Sequence, residues 1–264
     1  MFYEFWIGAR YAGLARSGRG AKRKDRFVSF IAASSMTGIA LGVAALIIVL
    51  SVMNGFQTQV RDRMLTVLPH IELYVRGNSH QEVLSHWQAL ADKAKENKEV
   101  IGAAPFVAAQ AMLVRGDKLN GVQIRGIDPA LEHEVSDLEQ QMVVNQLDSL
   151  QEGEFGLVLG LQLAQAMGVS EGDTVMLMAP QGSISPAGFA PRMRQFTVVG
   201  LYSSGHYEYD SNLAFVHYQD AARVFRDSGN SGVRLSIADM QTAPYVAQQL
   251  RSILPLSVYV SDWT

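Results

Sequence analysis

The sequence contains no cysteine. That excludes a disulfide scaffold, a thiol nucleophile and any cysteine-ligated metal site; it is compatible with an oxidising compartment without requiring one. The six histidines are scattered and form no H-E-x-x-H pair. No G-x-x-x-x-G-K-[ST] occurs, so this chain holds no nucleotide through a P-loop of its own. Ser203 and Ser204 lie in no nucleophile elbow. No basic stripe interleaved with aromatics appears, which argues against nucleic acid. Long repeats and low-complexity tracts are missing too. The longest absence is of charge: from Phe27 to Val60 there is no Asp, Glu, Lys or Arg.

That stretch predicts a transmembrane helix over 27–53. A helix rises ~1.5 Å per residue, so ~20 apolar residues cross a ~30 Å hydrocarbon layer. A cleaved signal peptide has an apolar core of only ~7–15 residues, and no A-x-A site follows here. Ser34, Gly38 and Gly42 stand four apart and form a small-xxx-small stripe, the pattern that lets another helix approach closely in lipid. Met53 and Phe56 extend the candidate packing and lipid-facing set. Arg10, Arg16, Arg19, Lys22, Arg23, Lys24 and Arg26 precede the span, against Glu4 and Asp25. The positive-inside rule therefore places residues 1–26 in the cytoplasm and exports the rest. Phe2, Phe5, Trp6, Ala9 and Ala12 fall at helical spacing, as in an amphipathic helix lying at the inner headgroups.

Beyond the span about 200 residues remain, room for one large domain or two small ones. Residues 54–68 keep Phe56, Val60, Met64 and Val67 on one face and read as a helical stalk, ended by Pro69. In 69–264, HIELYVRG alternates as a strand and HQEVLSHWQALADKAKEN carries a helical period. FVAAQAMLVRG and NGVQIRGID read as a hairpin around Asp117–Asn120. Leu157–Leu159 reads as a buried strand, Leu161–Met167 as a helix and Gly168 as its C-cap. Strands at Thr174–Met178, QFTVVGLY, LAFVHY, VRLSI and LSVYV follow, with helices at Tyr218–Phe225 and Pro244–Ile253. Strands and helices interleave without doubly wound regularity, so the expected class is α+β.

MTGIALGVAALIIVLSVMNGF, the following PHIELYV, the LVLGLQLAQAMGVSEGDTVML block and the closing SDWT resemble the LolC/LolE lipoprotein-releasing permease family. The L-G-x-x-L-A-x-x-x-G-V-x-x-G-D pattern is shared more widely with MacB-like and FtsX-like permeases. The resemblance implies a MacB-like periplasmic core domain in an inner-membrane ABC complex that hands lipoproteins to a LolA-like carrier. Its implied partners are a LolD-like ATPase subunit, a LolE-like or second permease copy, lipoprotein substrates and membrane lipid. No cofactor or metal is implied, and ATP hydrolysis belongs to the separate subunit. Family members carry three further spans after this domain, which implies that the sequence is a fragment or a truncation.

APQGSISPAGFAPRMR separates two strands. Pro180, Pro186 and Pro191 remove donors while Gly182 and Gly188 loosen the backbone, so the expectation is a stiff loop through which neither helix nor ladder runs. Its P-x5-P-x-G-x-x-P spacing is similar to the hook by which LolC-type subunits recruit their carrier. The resemblance carries that role to Pro180, Pro186, Ala187, Gly188, Phe189 and Pro191 in loop 180–191. His206, Glu208 and Asp210 in SGHYEYDSN would share one face of a strand as a conceivable metal cluster; turn chemistry explains the same residues. The alternative to a transport subunit is a MacB- or FtsX-like membrane-anchored module that couples to other envelope proteins.

Overall fold

The computed structural model describes residues 3, 23–65, 70–75, 80–185, 188–226 and 228–262. Most of the interfacial segment 1–26, and Pro69, lie outside them. The chain divides into two compact units, Met1–Arg63 and Met64–Thr264.

The first unit is dominated by α1, one helix from Arg23 to Leu65. Its stretch Phe30–Phe56 has a mean hydropathy of 2.5 and is long and apolar enough to cross a membrane. Two of the hydroxyls within it are satisfied by the helix's own backbone. Ser34 Oγ donates to the Ile31 carbonyl at 3.1 Å and Thr37 Oγ1 to that of Ala33 at 2.8 Å, so neither brings an unpaired polar group into an apolar medium.

The second unit mixes ten strands and seven short helices among the described residues. In chain order these are β1 (Ile71–Val75), α2 (His80–Ser85), α3 (Trp87–Lys95), β2 (Val100–Arg115), β3 (Lys118–Ile127), α4 (Pro129–Glu132), β4 (Met142–Val144), β5 (Gly156–Gly160) and α5 (Leu161–Met167). Then come β6 (Thr174–Ser185), β7 (Gly188–Tyr202), α6 (Tyr207–Asn212), β8 (Leu213–His217), α7 (Tyr218–Phe225), β9 (Asn230–Ile237), α8 (Ala243–Ile253) and β10 (Val258–Asp262). The α+β class is as the sequence indicated.

Six strands close on themselves. β2 pairs β3, β3 pairs β8, β8 pairs β5, β5 pairs β7, β7 pairs β6, and β6 returns to β2. β3–β8 and β5–β7 are parallel; the other contacts are antiparallel. Inward positions alternate along each strand, as a half-buried sheet requires. Val107, Ala109, Ala111 and Leu113 of β2 meet Ile124, Leu159, Leu177 and Phe196 from around the ring, and α5 and α7 add Leu163, Met167 and Phe225.

β2 runs on beyond the ring. Its first half pairs β9, followed by β1 and the edge strand β10, as an antiparallel wing. α3 and α8 cover one face of that wing through Ala91, Ala94, Val246 and Leu250, packed on Leu73, Val233 and Leu235.

Two sequence expectations are corrected here. The single helix over 80–97 is two. It breaks at His86, whose backbone leaves the helical region (φ −119°) while Ser85 Oγ donates to the Glu82 carbonyl at 2.8 Å. The hairpin turn is Gly116-Asp117, with Gly116 at φ +60°, so Lys118 to Asn120 belong to β3 and face Arg115, Val114 and Leu113.

Candidate functional site

The stretch read as a loop is a hairpin. β6 touches β2 only at Met176–Met178, and β7 joins β5 only from Thr197. Between these limits the two strands pair with each other: Ala179 opposite Arg192, then Ser183 opposite Ala190, Ile184 opposite Phe189 and Ser185 opposite Gly188. Among the described residues this is a two-stranded arm that pairs with nothing else. The prolines do not break it, because Pro180 and Pro191 both fall in the irregular window between Ala179 and Ser183 where the register shifts. A bulge asks no ladder donor of them. Gly188 and Phe189 are therefore strand residues at the outer end; Pro186 and Ala187 lie outside the described residues.

The base of the arm is pinned to the ring. The Arg194 guanidinium sits 3.8 Å over the Phe155 ring, and Phe155 meets Phe196 edge-on at 5.6 Å. Met193, next to Arg194 in the chain, is half exposed.

In α1, Ser34, Gly38, Gly42, Met53 and Phe56 fall within an arc of about 100° at 3.6 residues per turn. Methyl groups added at Gly38 or Gly42 would meet nothing within 4 Å among the described residues.

His206, Glu208 and Asp210 do not share a strand face. α6 occupies that segment, and Asp210 is buried. Its carboxylate accepts from Ser204 N–H at 2.8 Å, Ser204 Oγ at 2.6 Å and Ser203 Oγ at 3.1 Å. It holds the turn through Gly205 (φ +77°), and no group of three metal-ligating side chains occurs among the described residues.

An ion-pair quartet, three of its members buried, escaped the sequence reading. Arg234 of β9 bonds Glu132 of α4, both 1% exposed, and Arg125 of β3 stands 3.1 Å from Glu72 of β1. Each pair ties the wing to the ring side. Burial lowers the Arg125 guanidinium below its usual range, with Glu72 opposing and Arg234 adding to the shift. Arg125 and Arg234 lie within buried stretches of β3 and β9; only the strand register reveals that four charges meet there.

The glycine-rich block proves to be a folding device. A side chain at Gly160 would strike the Asp210 carbonyl, 2.2 Å from its Cβ position. Gly168 caps α5 at φ +68°, and Val169 N–H closes back on the Ala164 carbonyl at 2.9 Å. Asp173 accepts from Ser170 N–H at 2.9 Å and pairs with Arg115 at 3.1 Å.

A model of the MacB-like periplasmic core domain matches residues 32–253. The chain belongs to that family. It is 42% identical over 99% of its length to a LolC lipoprotein-releasing system transmembrane protein of Neisseria meningitidis, and 41% identical over 98% to that of Xylella fastidiosa. A LolE protein of Haemophilus influenzae is 31% identical over 98%. The chain spans about 60% of the length of these relatives: 61%, 60% and 61% respectively. The resemblance read from the sequence thus extends over nearly the whole chain, and the family's glycine-rich block is structural in every residue that the geometry explains.

Proposed function

We propose that the chain is the membrane-helix and periplasmic part of a permease subunit that releases lipoproteins from the bacterial inner membrane and passes them to a soluble LolA-like carrier. The observation that carries this reading is the unpartnered β6–β7 arm in a chain similar to LolC proteins over 99% of its length. The arm's outer end, around Phe189 and Gly188 and including Pro186 and Ala187, is the docking element for the carrier. In this reading residues 1–26 are cytoplasmic and residues after 53 periplasmic, which the basic flank before the span supports. Its Ser34/Gly38/Gly42 stripe packs on the spans of a LolE-like partner or second copy, with membrane lipid around it. ATP is hydrolysed by a LolD-like subunit.

Reconstitution tests this directly. The complete protein, its partner permease and the ATPase subunit are placed in vesicles loaded with a lipoprotein. Release into solution that needs both ATP and carrier is the expected result. Release that ignores the carrier, or none at all, would move the chain to a MacB- or FtsX-like coupling role.

A further inference from the structure

The outward face of the ring carries a row of thioethers. Along β2, Ala111 and Leu113 belong to the core, so Met112 between them points out. Along β6, Val175, Leu177 and Ala179 are core residues, and Met176 and Met178 take the outward positions. Along β7, Phe196 and Val198 point in, which turns Met193 and Gln195 out. The strand register then sets Met112 opposite Met178, and Met178 opposite Met193. These three make one rung across three adjacent strands. Met176 stands beside it, between Val114 of β2 and Gln195 of β7. The pairing is regular here, since the register of β6 and β7 shifts only after Ala179. Met112, Met176 and Met178 are partly buried, and Met193 is half exposed.

Neither the pleat nor the solvent asks for sulfur at these positions. The open side of a sheet favours polar residues, which Gln110, Gln123 and Gln195 supply around the row. Strands are enriched in β-branched and aromatic side chains. Leucine or valine would build an apolar face equally well; what methionine adds is a polarizable thioether on a chain of three rotatable bonds. Directly opposed residues on one face have Cβ atoms about 4.5–5.5 Å apart. Three such flexible side chains rising from one rung reach a common point above Met178. The cationic neighbours in sequence are aimed elsewhere. Arg194 follows Met193 but lies over the Phe155 ring, and Arg115 follows Val114 but pairs with Asp173. No three histidine, aspartate or glutamate side chains stand together as a metal site among the described residues, so hard and borderline divalent ions find no rival cluster there.

We propose that Met112, Met178 and Met193, with Met176 as a fourth donor at their side, bind one soft monovalent cation, Cu(I), through thioether sulfur. Thioethers select Cu(I) over the harder divalent metals, which prefer imidazole and carboxylate. They also carry no proton to lose, so this site binds without the proton release that accompanies metal binding by histidine.

The test uses the full chain in detergent micelles, with Cu(I) held reduced by ascorbate under nitrogen and bicinchoninate as the competing chromophoric chelator. The chain is expected to withdraw one Cu(I) from the chelator, and Zn(II) not to displace it. Met178→Leu, which keeps the volume and apolarity of the central position, weakens binding roughly tenfold or more, no less than the loss of an outer-sphere partner of a metal ligand costs. The triple variant Met112→Leu, Met178→Leu and Met193→Leu abolishes it at an unchanged unfolding temperature, while Met240→Leu, outside the row, has no effect. Ag(I), a redox-inert probe of the same softness, should bind equally well at about pH 7.5 and 5.5, where a histidine site would weaken as its rings take up protons. With methyl-labelled methionine, Ag(I) should move the methyl resonances of positions 112, 178 and 193 together. A chain that withdraws no Cu(I), a triple variant that binds like the parent, or an affinity that falls between those two pH values overturns the site. No carrier or ATP enters the titration, so its outcome is independent of the transport reading.

Discussion

Four charges, three of them buried, link the wing to the ring. Removing one member of a buried ion pair leaves the other uncompensated and costs ~3–5 kcal/mol, whereas replacing both by apolar groups of similar size is often neutral. Arg234→Met alone is therefore expected to destabilise the domain by about that amount. Arg234→Met with Glu132→Leu recovers most of the loss. Denaturant unfolding of the chain in detergent, followed through Trp87, checks both; Trp87 packs against the wing core. Equal destabilisation by the single and double variants would show that the cost is packing and not charge. Two histidines set a pH dependence. Burial lowers both His70 and His217 below the ordinary 6.5, against raising influences from Asp137 and Asp220 respectively. The folded state thus holds them neutral while the unfolded chain takes up protons first. Stability is complete above 6.5 and falls as pH drops from there towards the folded-state values. His217 Nδ1 also accepts from Gln219 N–H at 3.3 Å, capping α7. His217→Asn keeps a capping side chain and removes one titration, so its unfolding midpoint between pH 7.5 and 5 should fall less than that of the parent. An equal or steeper fall would assign the dependence elsewhere.

At the scale of elements, short-range chemistry was legible and long-range pairing was not. Leu161–Met167 with Gly168 behind it, and Tyr218–Phe225 after a buried strand, announce themselves because caps and periodicity act within a few residues. The arm was misread for the opposite reason. Pro180 and Pro191 argue against a ladder residue by residue, yet each falls where the other strand's irregularity asks nothing of it. That coincidence exists only once β6 and β7 are in register. The quartet of Glu72, Arg125, Glu132 and Arg234 was hidden likewise, since its partners are far apart in sequence. In α1 the stripe was plain from spacing alone, and its five residues share one side. Bulky side chains there would hold a neighbouring helix away, where packing drives association in lipid. Gly38→Leu and Gly42→Leu are expected to reduce recovery of the partner permease with the tagged protein severalfold, with domain unfolding unchanged. Normal recovery of the complex with both variants would make the stripe incidental.

In the second unit, the ring, wing and quartet form a base from which, among the described residues, the β6–β7 arm extends without a further partner strand. The ring's closure does not use the arm, because β6 meets β2 and β7 meets β5 on its near side. Deleting 181–190 should accordingly leave the unfolding temperature of the domain nearly unchanged. Truncating a central anchor at an interface typically costs ≥2 kcal/mol, about thirtyfold in affinity, and removing the whole outer arm should cost more. Calorimetric titration of a purified LolA-like carrier into the detergent-solubilised protein, with and without 181–190, is the most direct test. The account predicts saturable binding by the parent and at least a thirtyfold loss on deletion at constant stability. Unaltered carrier affinity after the deletion would contradict it.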